Sequence, residues 1–395
     1  MLRSSLLCDT VQLAIDDRLL ILNSAADPFV AEAAQRIITG EVLLAEDNIA
    51  ALHTAQTALD RENQGRRPIQ WRHVPFHEYT LHEAPATIDV AVMNMLYQPG
   101  NAWMHYALEI AAYALKSGGR LYVQGAKDRG VLSLAKRMQA LFGNVETLEI
   151  HKGDRVVCST VGAQFIAPNS SDELQGAIIL DNQLANALRA GSLSSLSTDC
   201  VLPTVRQAER KCAAHSGKLQ GSNRAPTLFA EGKLDEGTRL LLESLDVRVT
   251  DVALDMGCGA GFIGCHMARL ATKGQVTMVD ASLVAVEEAR RRVEQSGLTN
   301  AQVLSSDGAQ AVSSQRFDLV VTNPPFHIGG IQTTEIGERF IREAAQVLRP
   351  RGRFYLVANR FLKYEPTMRE CFKVVEEVGG DTRFKVLRGA YFGRD

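Results

Sequence analysis

The run Asn323-Pro324-Pro325-Phe326 closes an apolar, strand-like stretch, FDLVVT, and its residue types suit one task. Two prolines make the turn rigid, because each pyrrolidine ring locks φ. Against that turn, the Asn323 side-chain carbonyl and the backbone carbonyl of Pro324 offer two acceptors to the two hydrogens of an amino group. An sp2 amino nitrogen is a poor nucleophile, since its lone pair is delocalised into the ring. A site that alkylates it must hold it in line with the electrophile, and positioning supplies most of the help. Phe326 would stack on the base, and such stacking is worth about 1–3 kcal/mol per base, enough to hold one removed from its neighbours. His327 is a candidate proton acceptor, although a product amine sheds its proton without a dedicated base. Gly329 and Gly330 would let the following loop move.

Upstream, Asp255-Met-Gly257-Cys-Gly259-Ala-Gly261-Phe-Ile-Gly264 leaves a strand-like run and enters a helix-like one. Glycines there let the chain turn sharply and let a ligand approach where a Cβ would obstruct it. Alone, GAGFIG also fits a nicotinamide-dinucleotide fold, in which pyrophosphate rests on a helix N-terminus. Asp280, closing QVTMVD with Ala281 behind it, suits both readings, because a carboxylate there accepts from ribose hydroxyls. Asp307-Gly308, in SSDGA after the next strand, favours S-adenosylmethionine, whose adenine amino group an acidic side chain would accept. Asp255 is expected near the cofactor's own amino group. The Asn-Pro-Pro-Phe turn then removes the dehydrogenase reading, since hydride transfer has no need of it. The catalytic assignment is therefore Asn323, Pro324, Pro325 and Phe326. The cofactor assignment is Asp255, Gly257, Gly259, Gly261, Asp280, Ala281, Asp307, Gly308 and Asn323, with no metal.

The elements that must position these residues alternate. DVALDMG, QVTMVDA, AQVLSSDGA, FDLVVTNPPF and GRFYLVAN read as strands, separated by helical stretches such as FIGCHMARLA and LVAVEEARRRVEQSG. That alternation predicts a mostly parallel sheet covered on both faces, with ligands at the carboxyl ends of the strands. The N-terminal half repeats part of the order. IDVAVMNMLYQPG from Ile88 lies on FDLVVTNPPFHIG from Phe317, LKSGGRLYV from Leu115 on LRPRGRFYL from Leu348, and EVLLAEDN from Glu41 on QVTMVDAS from Gln275. Three matches in one order predict a duplicated domain. The first copy lacks the chemistry, reading Asn94-Met95-Leu96-Tyr97 at the proline turn and LILNSAAD, without a glycine cluster, near Leu20 to Asp27. It is expected to bind no cofactor. Arg66, Arg67, Arg72 and His73 around Trp71 are candidate RNA contacts there, and an ordinary charged loop explains them equally well.

The chain has 395 residues, 46% of them hydrophobic, enough for two cores. Its net charge of -2 does not itself favour nucleic acid. Seven scattered cysteines without a C-x-x-C pair read as reduced thiols, not a zinc site. With no leader pattern and no membrane-length apolar run, a cytoplasmic protein is expected.

With the glycine motif, Asp280, Asp307 and Asn-Pro-Pro-Phe in this order, the C-terminal half resembles class I S-adenosylmethionine-dependent methyltransferases. More narrowly it resembles the ribosomal RNA guanine-N2 methyltransferases, both the methyltransferase C type that acts on the small ribosomal particle and the methyltransferase G type that acts on the large one. The segment LFAEGKLDEGTRLLLESL, with Phe229, Leu234, Asp235, Gly237 and Thr238, is similar to the stretch those enzymes carry before the glycine motif. The resemblance implies an α/β protein of two tandem Rossmann-like methyltransferase domains, the N-terminal one degenerate. It divides into residues 1–166 (recognition or structure), a linker or insertion at 167–225 with a mildly basic ERKCAAHSGK segment, and a catalytic domain at 226–395. It further implies methyl transfer to a guanine N2 in ribosomal RNA, 16S ahead of 23S, with ribosomal RNA or a ribosomal subunit as partner and a monomeric enzyme. Adenine-N6 or protein glutamine-N5 methylation are the alternatives among enzymes, and a non-catalytic RNA-binding assembly factor is the alternative of another class.

Overall fold

The structure, a computed structural model, describes residues 5–62, 70–162, 235–325, 327–328, 331–332 and 334–391; for the short strands at 327–328 and 331–332 only the backbone is described. The 167–225 segment, the basic stretch within it, Arg66, Arg67, Phe229, Leu234, Phe326, Gly329 and Gly330, and the side chain of His327 lie outside the described residues.

Two seven-stranded sheets of the same topology follow one another along the chain. The first comprises β1 (Arg18–Leu22), β2 (Glu41–Ala45), β3 (Gln70–Val74), β4 (Ile88–Asn94), β5 (Leu115–Ala126), β6 (Glu146–His151) and β7 (Asp154–Thr160), in the order β3-β2-β1-β4-β5-β7-β6. The second comprises β8 (Val252–Met256), β9 (Gln275–Asp280), β10 (Ala301–Ser305), β11 (Phe317–Thr322), β14 (Leu348–Asn359), β15 (Val374–Gly380) and β16 (Phe384–Ala390), in the order β10-β9-β8-β11-β14-β16-β15. A two-stranded ribbon, β12 (His327–Ile328) with β13 (Ile331–Gln332), follows the proline turn. In each sheet six strands run parallel and one, β7 in the first and β16 in the second, runs antiparallel between its two neighbours. Both are Rossmann-like sheets with helices packed on them. The central strands are buried almost throughout, as strands covered on both faces must be.

The duplication extends to individual hydrogen bonds. Setting Arg18 on Val252, the Asp89 carboxylate accepts from Arg18 N at 3.0 Å, and the Asp318 carboxylate accepts from Val252 N at 3.0 Å. Lys116 pairs with Asp89, and Arg349 with Asp318. Asp17 and Asp251 each accept a backbone N–H three residues upstream at 2.8 Å. The strand register shifts at matching places, Ile88/Val90 and Phe317/Leu319. The three sequence matches predict this alignment.

The halves meet through equivalent loops. Ile49 N donates to Ala281 O at 2.9 Å and Leu283 N donates to Asp47 O at 2.8 Å, around an antiparallel bridge between Asn48 and Ser282. In the alignment Asp47 is the counterpart of Ala281 and Ile49 of Leu283, so this exchange is two-fold symmetric. Val284, at the start of the helix Leu283–Gln295, packs into the core of the first sheet. His77 Nδ1 lies 2.6 Å from Asp47, and His77 Nε2 faces Glu287 of that helix at 3.5 Å.

Of the candidate contacts around Trp71, Arg72 and His73 are the two described. Arg72 is ion-paired with Glu41 and Glu83, His73 Nε2 lies 2.8 Å from Glu46 O, and Trp71 packs on the core. A solvated basic loop and an internal ion-pair network have the same composition, so the sequence alone does not separate them.

Candidate active site

The glycine loop is a tight exit from β8 into the helix Phe262–Leu270. Gly257, Gly259 and Gly261 all take positive φ (72°, 52° and 80°), the region that L side chains avoid, and Gly261 caps the helix. The loop is stitched to β9: Gly257 N and Cys258 N donate to Val279 O, and Gly259 N donates to Asp280 Oδ2 at 2.9 Å. Asp280 Oδ1 accepts from Ser282 N at 2.8 Å. Asp280 thus clamps two loops at the strand ends, and burial raises its pKa against those N–H donors.

Asp255 is fully buried. Its Oδ2 accepts from Gly264 N at 2.8 Å, while Oδ1 has no partner. Burial, helped by the nearby charge of Asp280, outweighs the Gly264 hydrogen bond and pushes the carboxyl to about 7. An orphaned carboxylate oxygen beside a glycine cradle fits a ligand that brings a hydrogen-bond donor or a positive charge. Cys258, in the same loop, is buried with its thiol pushed well above its ordinary value, which makes it an inert packing residue.

Asp307 follows β10, and its carboxylate is ion-paired with Arg339 at 2.5 Å. Any adenine amino group that reaches Asp307 shares it with this guanidinium, a residue without a sequence signal of its own. Gly308 has a structural reason to be glycine. Its φ is 57°, and a Cβ there would lie 2.0 Å from Glu343 Oε2, the oxygen that accepts from Ala309 N. Ala281 contributes its carbonyl to the contact between the halves.

Asn323 leaves β11, which lies beside β8, so the proline turn and the glycine loop emerge at one edge of the sheet. Thr322 Oγ1 ties the two strand ends by donating to Met256 O at 2.7 Å. Asn323 and the buried Pro324 open onto a cleft shared with Asn359, Leu362, Tyr364 and Phe384. Asn323 Nδ2 donates to Thr238 Oγ1 at 3.0 Å and to Asp235 Oδ2 at 3.3 Å, residues from the segment before β8. The predicted residues Asp255, Gly257, Gly259, Gly261, Asp280, Asp307 and Asn323 thus gather at the carboxyl ends of β8, β9, β10 and β11. Sequence reasoning gave no role to Arg339 or Glu343.

The first half carries different residue types at the corresponding places. Ile21 stands at the place of Asp255, Ala25 at that of Gly259 and Asp27 at that of Gly261. Glu46 reproduces the Asp280 contacts, accepting from Ala25 N and Asn48 N, each at 2.9 Å. Asn94, the counterpart of Asn323, uses both ends of its amide internally: Nδ2 donates to Asp27 at 2.7 Å, and Oδ1 accepts from Leu96 N at 2.9 Å.

Comparison with known proteins accords with this geometry. The ribosomal RNA small subunit methyltransferase C of Pseudomonas entomophila is 30% identical over 309 residues, spanning 76% of this chain and 82% of its own length. The chain belongs to that family. The family's member from Hahella chejuensis is 28% identical over 372 residues, 94% of each chain. Residues 222–388 match the methyltransferase small domain model. Among solved structures, the T. thermophilus 16S rRNA N2 G1207 methyltransferase, in complex with AdoMet and guanosine, superposes with a TM-score of 0.69. It is 27% identical, and the match covers 98% of this chain and 90% of that one. The family's enzymes use S-adenosylmethionine as cofactor.

Proposed function

We propose that this chain methylates the exocyclic N2 amine of a guanine in 16S ribosomal RNA, using S-adenosylmethionine. The observation that carries the reading is Asn323: rigidly placed at the strand end by two prolines, it keeps one amide end bonded to the protein and the other without a partner among the described residues, beside a glycine cradle with a carboxylate oxygen likewise unpartnered among them. The names of the relatives support the choice of RNA and base. When bound, S-adenosylmethionine supplies a methyl group on a sulfonium, ready for direct transfer.

The chain's own residues then have separate tasks. Asp280 offers its carboxylate to ribose hydroxyls while holding the loops of Gly259 and Ser282, and Asp255 Oδ1 takes the cofactor's amino group. Asp307, with Ala281 and Gly308 beside the pocket, accepts the adenine amine. Asn323 Oδ1 and the Pro324 carbonyl accept the two hydrogens of the guanine amine, which draws that nitrogen toward tetrahedral geometry and frees its lone pair. Pro325 keeps the turn rigid, and Phe326 stacks on the base.

In the same reading, catalysis belongs to residues 226–395 and 167–225 connects it to a cofactor-free domain at 1–166. Ile21 and Asp27 stand where the second half has Asp255 and Gly261, and both ends of the Asn94 amide are spent. A monomer fits, because each half already covers the equivalent loop of the other, and size-exclusion chromatography checks it. No described helix is long and apolar enough to cross a membrane, and the proposed compartment is the cytoplasm. The test incubates the protein with labelled cofactor and either small ribosomal subunits or naked 16S RNA, then maps the label. Label on a guanine N2 is expected. Label confined to adenine or protein, or no cofactor binding at all, overturns the proposal.

A further inference from the structure

The Asp235-x-Gly237-Thr238 segment has no part in the functions described so far, yet it touches the residue at the centre of them. Asp235 caps the helix Glu236–Ser244, its Oδ1 accepting from Thr238 N at 3.0 Å. Its other oxygen accepts the Thr238 hydroxyl proton at 2.5 Å, and both Asp235 Oδ2 and Thr238 Oγ1 accept from Asn323 Nδ2. Thr238 is 7% exposed and therefore largely shielded from competing water.

We infer that Asp235 and Thr238 are positioning residues that fix which end of the Asn323 amide faces the methyl-accepting amine. An amide side chain is nearly symmetric in shape, and its two orientations differ only in hydrogen bonding. A carboxylate can only accept. Because Asp235 takes the Thr238 proton, the Thr238 oxygen is left as an acceptor toward Asn323. Both neighbours then demand a donor from Asn323, Nδ2 satisfies them, and Oδ1 must point the other way. No protein donor reaches Oδ1 among the described residues. A flipped amide would set oxygen against a carboxylate and present N–H to an amine that must itself donate, an arrangement with no catalytic use. The negative charge of Asp235 also polarises the amide, making Oδ1 a better acceptor as positive charge develops on the guanine nitrogen. Asn94 shows the contrast, with its amide oriented by Asp27 but its oxygen consumed by Leu96 N.

This inference rests on the proposed amine methylation, and one kinetic experiment separates the two. Wild-type protein, Asp235→Asn, Thr238→Val and Thr238→Ser are assayed on 16S RNA for kcat and for KM of RNA, with cofactor affinity by calorimetry and melting temperature alongside. Asn caps helices as well as Asp does, so Asp235→Asn keeps the cap and removes the acceptor-only character. The expected result is a 10- to 100-fold loss of kcat for Asp235→Asn and Thr238→Val, KM and cofactor Kd within about twofold of wild type, and recovery of kcat in Thr238→Ser. Wild-type rates in both disrupted variants overturn the inference, as do parallel losses of kcat, affinity and melting temperature. If Asp235→Asn fails to fold, the Thr238→Val and Thr238→Ser pair decides alone. A wild-type protein that labels no guanine refutes the proposed function instead.

Discussion

Asp255→Asn is predicted to make the cofactor-free protein more stable at alkaline pH and less able to bind its cofactor. In the folded chain the buried carboxyl sits at about 7, against 3.8 for the ordinary side chain. The folded state therefore holds a proton that the unfolded state releases, and stability falls as pH rises from near 4 through 7. About three units correspond to about 4 kcal/mol, the upper bound of what the carboxylate costs the cofactor-free protein at pH 8. Asn can still accept from Gly264 N through its carbonyl, but its NH2 would lack a partner, which returns roughly 1–3 kcal/mol of that gain. A net stabilisation of about 1–3 kcal/mol at pH 8, absent or reversed at pH 4.5, follows, and urea titrations at the two pH values measure it. Binding supplies the second arm. If the cofactor's ammonium meets Asp255 Oδ1, binding drives ionisation. At pH 6.5, where a group titrating at about 7 is roughly three-quarters protonated, more than half a proton leaves per cofactor bound. Calorimetry in two buffers of different ionisation enthalpy reads this number, and the cofactor's own α-amino group is mostly charged at that pH. The Asn variant loses both the proton release and most of the affinity. Equal stability differences at pH 4.5 and 8, or unaltered affinity in the variant, would refute the reasoning.

Three further outcomes follow from other features. Asp280→Ala removes the acceptor shared by Gly259 N and Ser282 N and should weaken cofactor binding at least tenfold by calorimetry, about 1.4 kcal/mol or more. Asp251→Ala strands the buried Arg353, whose partner lies at 2.5 Å with both side chains 3% exposed. A loss of about 3–5 kcal/mol is expected in denaturant melts, against about 1 kcal/mol or less of ion-pair energy for Asp17→Ala, whose Arg120 is partly exposed and 3.7 Å away. His77 loses ionisation energy to burial, but Asp47, with Glu78 and Glu287, more than restores it and leaves its pKa raised from 6.5. Its contribution to stability is therefore complete below pH 6.5 and lost as pH rises through the raised value. His77→Gln should lower the melting temperature more at pH 5.5 than at pH 9, and an equal effect at both would exclude a charged His77.

Where the sequence signal was local, the fold was legible. The apolar runs at Val252–Met256 and Phe317–Thr322 could only be covered strands, and the glycines after Met256 take the positive φ values that their type allows. The alignment of Glu41 on Gln275 carried through to matching hydrogen bonds at Glu46 and Asp280. Contacts distant in sequence were not legible. Asn323 meets Thr238 across 85 residues, and Asp307 meets Arg339 across 32, through side chains that read as ordinary surface charge or helix caps. The ion pairs of Arg72 were hidden in the same way, since its partners Glu41 and Glu83 come from other elements.

The bridge at Asn48 and Ser282 has the form of an isologous interface, the contact by which two identical subunits meet about a dyad, here contained in a single polypeptide. In a homodimer both partners would have to keep their chemistry, because one gene encodes both. Joined in one chain, the partners are free to diverge. The first can carry Ile21 and Asp27 where the second has Asp255 and Gly261 while retaining the loop that faces Ala281. On the proposed reading, cofactor binding and inter-half cohesion share one stretch of backbone, Asp280 to Leu283, so the first half bears directly on the site of the second.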